Sequence, residues 1–161
     1  MTPLPTGAIT AFIPGAFTPI RDTVFATKPS DVRAELDCFA ETAVYQHVSP
    51  VVLRAIAWQE SHGNADSIHR NANGSIDHGM MQINSIHLPV LARYGVSSRD
   101  LMNLCANIFV AAWHLHKMMV KYGNTWAAIG AYHSETPAER DRYARSIEAI
   151  VWRMGEVRVG E

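Results

Sequence analysis

Two carboxylates, Glu60 and Asp77, stand seventeen positions apart in the segment ESHGNADSIHRNANGSIDHGMMQINS, residues 60–85. Cleavage of a sugar chain needs a protonated acid on the leaving oxygen and a negative or nucleophilic group near the anomeric carbon. The two must sit in different environments so that one holds its proton and the other does not. A helix end and a hairpin could supply such a pair of environments.

The helix that carries Glu60 is readable from its punctuation. Ser49 followed by Pro50 gives a cap and a first-turn proline, and the apolar run from Val51 to Trp58 carries a helix to about His62, before Gly63. Leu53, Ile56, Ala57 and Glu60 fall at i, i+3, i+4 and i+7, which puts the carboxylate on the apolar stripe. Desolvation there, and the negative end of the helix dipole, both disfavour the ionised form. That suits a general acid; from the helix alone, a plain helix-end glutamate paired with Arg70 or Arg54 is equally open. For Asp77, Asn73-Gly74 predicts a two-residue hairpin turn because both residues accept positive φ, pairing 70–71 with 75–77. Asn71 and Asn84 are then polar neighbours that could fix the carboxylate by hydrogen bonding, and spacing alone leaves a solvated turn aspartate open as well.

The elements around this segment are helical. Leu36, Phe39, Ala40, Ala43, Val44 and His47 keep the spacing of one buried stripe, with Ser30 as a cap. A long apolar segment runs from about Leu104 to Tyr122, with Gly123 as its stop, and reads as the central buried helix. Thr125 to about Ser134 is a short helix, and Thr136-Pro137-Ala138-Glu139 reads as a capping box that opens an amphipathic helix to about Met154. Only residues 68–83 look strand-like. The fold class is therefore mainly α, in the α+β sense of a helical domain with a small β-hairpin beside the cleft.

Composition narrows the function classes. At 161 residues, with 48% hydrophobic and 18% charged residues, the chain is expected to be one globular domain with a sizeable core. A net charge of −1 offers no clustered basic surface for nucleic acid, and no apolar run approaches the roughly 20 residues that span a bilayer. Residues 1–30 hold five of the eight prolines and only three charged residues, and read as an extended or disordered tail. Their prolines and glycines break any apolar signal-like run, and no Lys or Arg precedes Arg21. The domain is expected over 31–155, with 156–161 as a C-terminal tail. The eight histidines show no ligand spacing, since His114 and His116 point to different helix faces, so no metal and no cofactor is expected. The Met80-Met81 and Met118-Met119 pairs suit core filling, and Arg140, Arg142, Arg145 and Arg153 a solvated helix face.

AWQESHGN, IDHGMMQINS and GAYH, in that order, resemble the Glu-Ser, Gly-Leu-Met-Gln and Ala-Tyr-Asn motifs of lytic transglycosylases with the lysozyme-like fold. The resemblance covers about residues 36–150 and is nearest to the small specialised enzymes that accompany type III and type IV secretion, conjugation and pilus assembly. It implies Glu60 as the single acid/base, Ser61 and Gln82 supporting the site, and Met80, Met81 and Tyr132 lining a glycan cleft. His133 departs from the pattern, where Asn is commoner. HRNANGSIDHGMMQINS is also similar to the active-site hairpin of the animal C-type lysozymes, in which the aspartate at the position of Asp77 is the second catalytic carboxylate. Two cysteines at places comparable to Cys38 and Cys105 form a disulfide in many secretion-associated relatives, which implies that bond here.

The activity the resemblance implies is cleavage of the β-1,4 bond between N-acetylmuramic acid and N-acetylglucosamine, closing a 1,6-anhydro ring without water. The partners implied are peptidoglycan strands and components of a secretion, conjugation or pilus apparatus, met by a monomer in the periplasm or outside the cell, with an export signal not present in these residues. Two alternatives stand beside it. One is a muramidase that uses Glu60 and Asp77 to hydrolyse the same bond; the other is a non-catalytic glycan-binding assembly protein.

Overall fold

A computed structural model describes residues 32–159, with side chains described over 38–155. Ser30 and the segment 1–30 lie outside the described residues. Six helices and a three-stranded antiparallel sheet are found among the described residues, in the order α1 (Val32–Gln46), α2 (Pro50–Ser61), β1 (Ile68–Arg70), β2 (Ile76–His78), β3 (Ile83–Asn84), α3 (Leu88–Leu91), α4 (Leu104–Tyr122), α5 (Trp126–His133) and α6 (Pro137–Val159). Short 3-10 turns flank α3 and precede α4. The architecture is the mainly helical α+β arrangement that the residue pattern predicted, in the lysozyme-like form that the family resemblance implied, with one strand more than a hairpin.

The α1 stripe is rotated from its predicted position. Phe39 and Ala43 are buried as expected, but Ala40 and His47 are exposed and Val44 is 77% exposed. The buried face is Cys38, Phe39, Thr42, Ala43 and Gln46. A disulfide between Cys38 and Cys105, with Cα atoms 5.4 Å apart, holds this face against α4. Apolar spacing alone could not register that covalent tie. The central helix α4 begins where predicted, with Asn103 Oδ1 accepting from Ala106 N, and ends at Gly123. It buries Ile108, Ala111, Ala112 and Leu115 against the helices around it.

The helix of the acid is built as its sequence suggests. Ser49 Oγ accepts from Val52 N, Pro50 occupies the first turn, and Leu53, Ile56 and Ala57 are buried. His62 (φ 55°) and Gly63 (φ 77°) end it in left-handed conformation, with His62 N donating to Trp58 O and Gly63 N to Ala57 O. The helix cannot continue, so Glu60 and Ser61 stand in its last turn beside the sheet.

The hairpin that carries Asp77 forms, but with a different turn. Arg70 pairs with Ile76 and His69 with Asp77, while Gly74 N donates to Asn71 O across a four-residue turn from 71 to 74. Positive φ is confined there to Gly74, at 84°. Asn73 instead uses its Oδ1 to accept from Ser75 N and Ser75 Oγ, a local bond that asparagine offers as readily as positive φ. The two-residue turn expected at Asn73-Gly74 is therefore replaced by a longer one.

One buried asparagine ties sheet to helices. Asn107 on α4 donates from Nδ2 to His78 O (2.8 Å) and Leu101 O (2.9 Å), and its Oδ1 accepts from Met81 N (2.7 Å). Every polar atom of that side chain is used, which satisfies three backbone groups of the loop between β2 and β3 and of the turn before α4. At the other side of the molecule, Gly130 of α5 lies so close to α6 that an added Cβ would stand 2.2 Å from Arg140 O. The capping box predicted for α6 is not formed as such: Thr136 N donates to Ser134 Oγ, and Glu139 pairs with Arg142. The helix itself runs on to Val159, past the expected end near Met154.

Candidate active site

Glu60, at the end of α2, reaches into a cleft of about 280 Å³ whose other walls come from the sheet, α4 and the end of α5. Burial dominates its chemistry and pushes its pKa from 4.5 up to about 7. The hydroxyl of Tyr143 on α6 donates to Glu60 Oε1 and works in the opposite direction, and the charge of Asp77 adds a further upward push. The partner of the acid is thus a tyrosine. Arg54 lies over the ring of Phe39 instead, and Arg70 is exposed on β1.

Asp77 lines the same cleft from β2, and both its oxygens are held. Asn71 Nδ2 donates to Oδ2 at 2.9 Å, and Asn84 Nδ2 to Oδ1 at 2.6 Å. The same two amides bond Ser75 Oγ, whose serine closes the hairpin. The spacing of Asn71, Asp77 and Asn84 in the sequence becomes, through β2–β3 pairing of Asp77 with Asn84, a clamp that aims one carboxylate. The two acids therefore differ as a sugar-cleaving pair requires: Glu60 is buried against an apolar stripe, and Asp77 is wrapped in amide donors.

The remaining sequence candidates divide into cleft walls and supports. Ser61 Oγ donates to Met80 O at 2.7 Å and accepts from Asn64 N, which fastens the end of α2 to the loop after β2. Gln82 lines the cleft with φ 49°, its Nε2 donating to Gly79 O. Strain of that kind at a cleft wall persists only where its surroundings hold it. Met80 and Met81, expected along the cleft, are 1% and 0% exposed and fill the core beneath it. What faces the site from them is backbone: Met81 O accepts from the Tyr132 hydroxyl at 3.0 Å. Tyr132 and His133, at the end of α5, both line the cleft.

Two residues of the site and one buried support beneath it escaped sequence reasoning. Tyr143 carries no local signal, since it lies 83 residues from Glu60 on a helix that reads as an amphipathic cover. His114, dismissed with the other histidines because no ligand spacing was present, faces the cleft from α4. Its Nε2 bonds Tyr132 O at 3.2 Å, and its ring lies 5.0 Å from that of His87 and 5.3 Å from that of Tyr132. Burial lowers its pKa to about 4, so the ring is neutral at pH 7 and that nitrogen is the donor. Asn107, the third, had no reason to stand out in an apolar helix.

Comparison with known proteins places this geometry. Residues 37–148 match the Transglycosylase SLT domain family. The chain is 38% identical to the invasion protein IagB of Salmonella typhimurium, over 69% of this chain and 72% of that protein. It is 36% identical to protein IpgF of Shigella flexneri, over 69% and 76%, and 33% identical to a peptidoglycan-binding-like protein of Escherichia coli O157:H7, over 74% and 79%. The matched stretch contains both carboxylates, the sheet and every helix end that lines the cleft, and this chain belongs to the Transglycosylase SLT domain family.

Proposed function

We propose that this protein is a peptidoglycan lytic transglycosylase that cleaves the bond between N-acetylmuramic acid and N-acetylglucosamine and leaves a 1,6-anhydro-muramyl end. The observation that carries the reading is the inequality of the two carboxylates across one cleft, with Glu60 raised to about 7 by burial and Asp77 held by two amides. Because Tyr143 occupies Oε1, the other oxygen of Glu60 presents the proton. It passes to the bridging oxygen as the glycosidic bond breaks, and positive charge develops at the anomeric carbon. Asp77 stabilises that charge from a position fixed beforehand, which avoids reorganisation during the reaction. Glu60, now a carboxylate, takes the proton of the muramyl C6 hydroxyl as that oxygen closes on the anomeric carbon. Protons balance, and no water is consumed.

In this reading Ser61 and Gln82 hold the loop beside the acid, Asn71 and Asn84 aim Asp77, and Tyr132 and His133 contact the glycan. The catalytic domain spans 31–155. The family and the name of the peptidoglycan-binding-like relative support the substrate, and the name of the invasion-protein relative supports local opening of the cell wall for a secretion, conjugation or pilus machine. That role requires a periplasmic or exported protein; no helix among the described residues is long and apolar enough to cross a membrane.

Mass spectrometry of purified peptidoglycan digested with the protein tests the reaction. Anhydro-muropeptides are expected. Reducing-end products would instead make the protein a muramidase, a reading that the clamped Asp77 favours, with water replacing the C6 hydroxyl. Binding without any soluble product would leave only a glycan-binding assembly role.

A further inference from the structure

A second hollow of about 280 Å³ lies on the opposite flank of Glu60, between the ends of α2 and α5 and the first turns of α6. It shares Glu60 and His133 with the main cleft. His133 therefore stands at the joint between the two, and it is exposed. Its ring lies flat on that of Tyr143, 4.8 Å between centroids and 2° between planes. A second ring, that of Tyr132, lies 6.4 Å from Tyr143 at 24° between planes. Tyr143 thus touches both rings at the end of α5, and its hydroxyl donates to Glu60 Oε1.

We infer that His133 is a positioning residue, which packs flat on the Tyr143 ring so that the Tyr143 hydroxyl stays on Glu60 and sets how tightly that acid holds its proton. The inference rests on the reading of Glu60 as the acid, and it adds to that reading a lever on proton affinity. A hydroxyl donor stabilises the charged carboxylate, but only while its ring cannot rotate or slide. Helix α6 fixes the Cα of Tyr143, and its ring is fixed by what touches its faces. A flat aromatic partner restrains a ring better than a short side chain does. The groups that face Glu60 are Asp77 from β2, Tyr132 and His133 from α5, and Tyr143 from α6, with Glu139 and Arg142 of α6 on the wall of the second hollow. Glu139 and Arg142 pair with each other. Among the described residues, it is the Tyr143 hydroxyl that lowers the proton affinity of Glu60.

The test follows the titration of the Glu60 carboxyl carbon by NMR, in the full chain, for four proteins: wild type, His133→Leu, Tyr143→Phe and the double variant. Leucine keeps the bulk that excludes water and lacks the flat ring. His133→Leu should raise the midpoint by roughly half a unit to one unit from about 7, Tyr143→Phe should raise it by at least as much, and the double variant should go no further than Tyr143→Phe. His133→Phe should keep the wild-type midpoint. Equal shifts by His133→Leu with and without the Tyr143 hydroxyl, a downward shift, or no shift would each overturn the inference. Should His133→Leu not fold, His133→Asn serves the same comparison. Because the readout is a titration, it stands whether or not peptidoglycan is cleaved. In an active enzyme the same variants should move the alkaline limb of the kcat profile upward.

Discussion

A carboxyl that holds its proton to about pH 7 is a cost to the fold as well as a tool for catalysis. Glu60 has an ordinary pKa of 4.5 in the unfolded chain and about 7 in the folded one. The native state therefore binds the extra proton between those values, and the group's contribution is complete below pH 4.5 and is lost as pH rises through 7. One unit corresponds to 1.36 kcal/mol, so the loss is on the order of 3 kcal/mol by pH 8. Glu60→Gln removes the charge and keeps the shape, and should make the melting temperature higher than that of wild type at pH 8 but not at pH 4. The same variant should lower the clearing of peptidoglycan turbidity by about 10²-fold or more, since proton transfer by a placed group is worth that much. A variant that clears at the wild-type rate removes the acid assignment. Asp77 acts on Glu60 through charge alone. Asp77→Asn should accordingly shift the alkaline limb of the rate profile downward and cut kcat, with a loss of about 1–3 kcal/mol because its new Nδ2 cannot accept from the Asn71 or Asn84 amide, and full activity in that variant would end its role as stabiliser.

The elements hold these groups through contacts that tolerate little. Gly79, between β2 and β3, has φ 71°, and an added Cβ would stand 2.6 Å from Asn107 Nδ2 and 2.7 Å from Leu101 O. Gly79→Ala combines a strained backbone with a displaced Asn107, and should destabilise by about 2–4 kcal/mol in urea unfolding. Gly130→Ala should push α5 away from Arg140 O, carrying Tyr132 and His133 off Tyr143; kcat should fall before the fold melts. Periodicity and turn chemistry give no reason for either glycine, although both fall inside quoted motifs, because the need for it comes from an atom on another element. The same limit explains what was and was not legible. The cap and stop of α2 and the stop of α4 lie within a few residues of what they control, and were read correctly. The face of α1, the turn at Asn73 and the hydrogen bond of Tyr143 depend on distant partners or on a choice between two local bonds. The carboxylate pair was legible because Glu60, Asp77 and their amide neighbours fall within one 26-residue segment, and periodicity alone decides which side of α2 the acid takes.

Closure of the whole molecule depends on the Cys38–Cys105 bond. The two cysteines are 67 positions apart, and the ring they close contains α2, the sheet, both carboxylates and the turn before α4. Everything that holds Asp77, and the helix that carries Glu60, is therefore inside the loop, while Tyr132, His133 and Tyr143 come from outside it. In the chain-entropy picture, closing a loop of that length contributes roughly 4 kcal/mol by restricting the unfolded chain. Neither cysteine lines the cleft, so the bond acts on stability and not on the chemistry. Reduction, or the pair of substitutions Cys38→Ser and Cys105→Ser, should lower the melting temperature by on the order of 10 °C or more, with kcat at 25 °C within about twofold of wild type for the folded fraction. The difference in activity should open only near the lowered transition. An unchanged melting temperature in reductant would mean that the bond does not form in solution, and would remove the physical case for an oxidising compartment, where such bonds persist. A fall in kcat at 25 °C without a fall in stability would place the cysteines in the cleft's machinery, against their position in the fold.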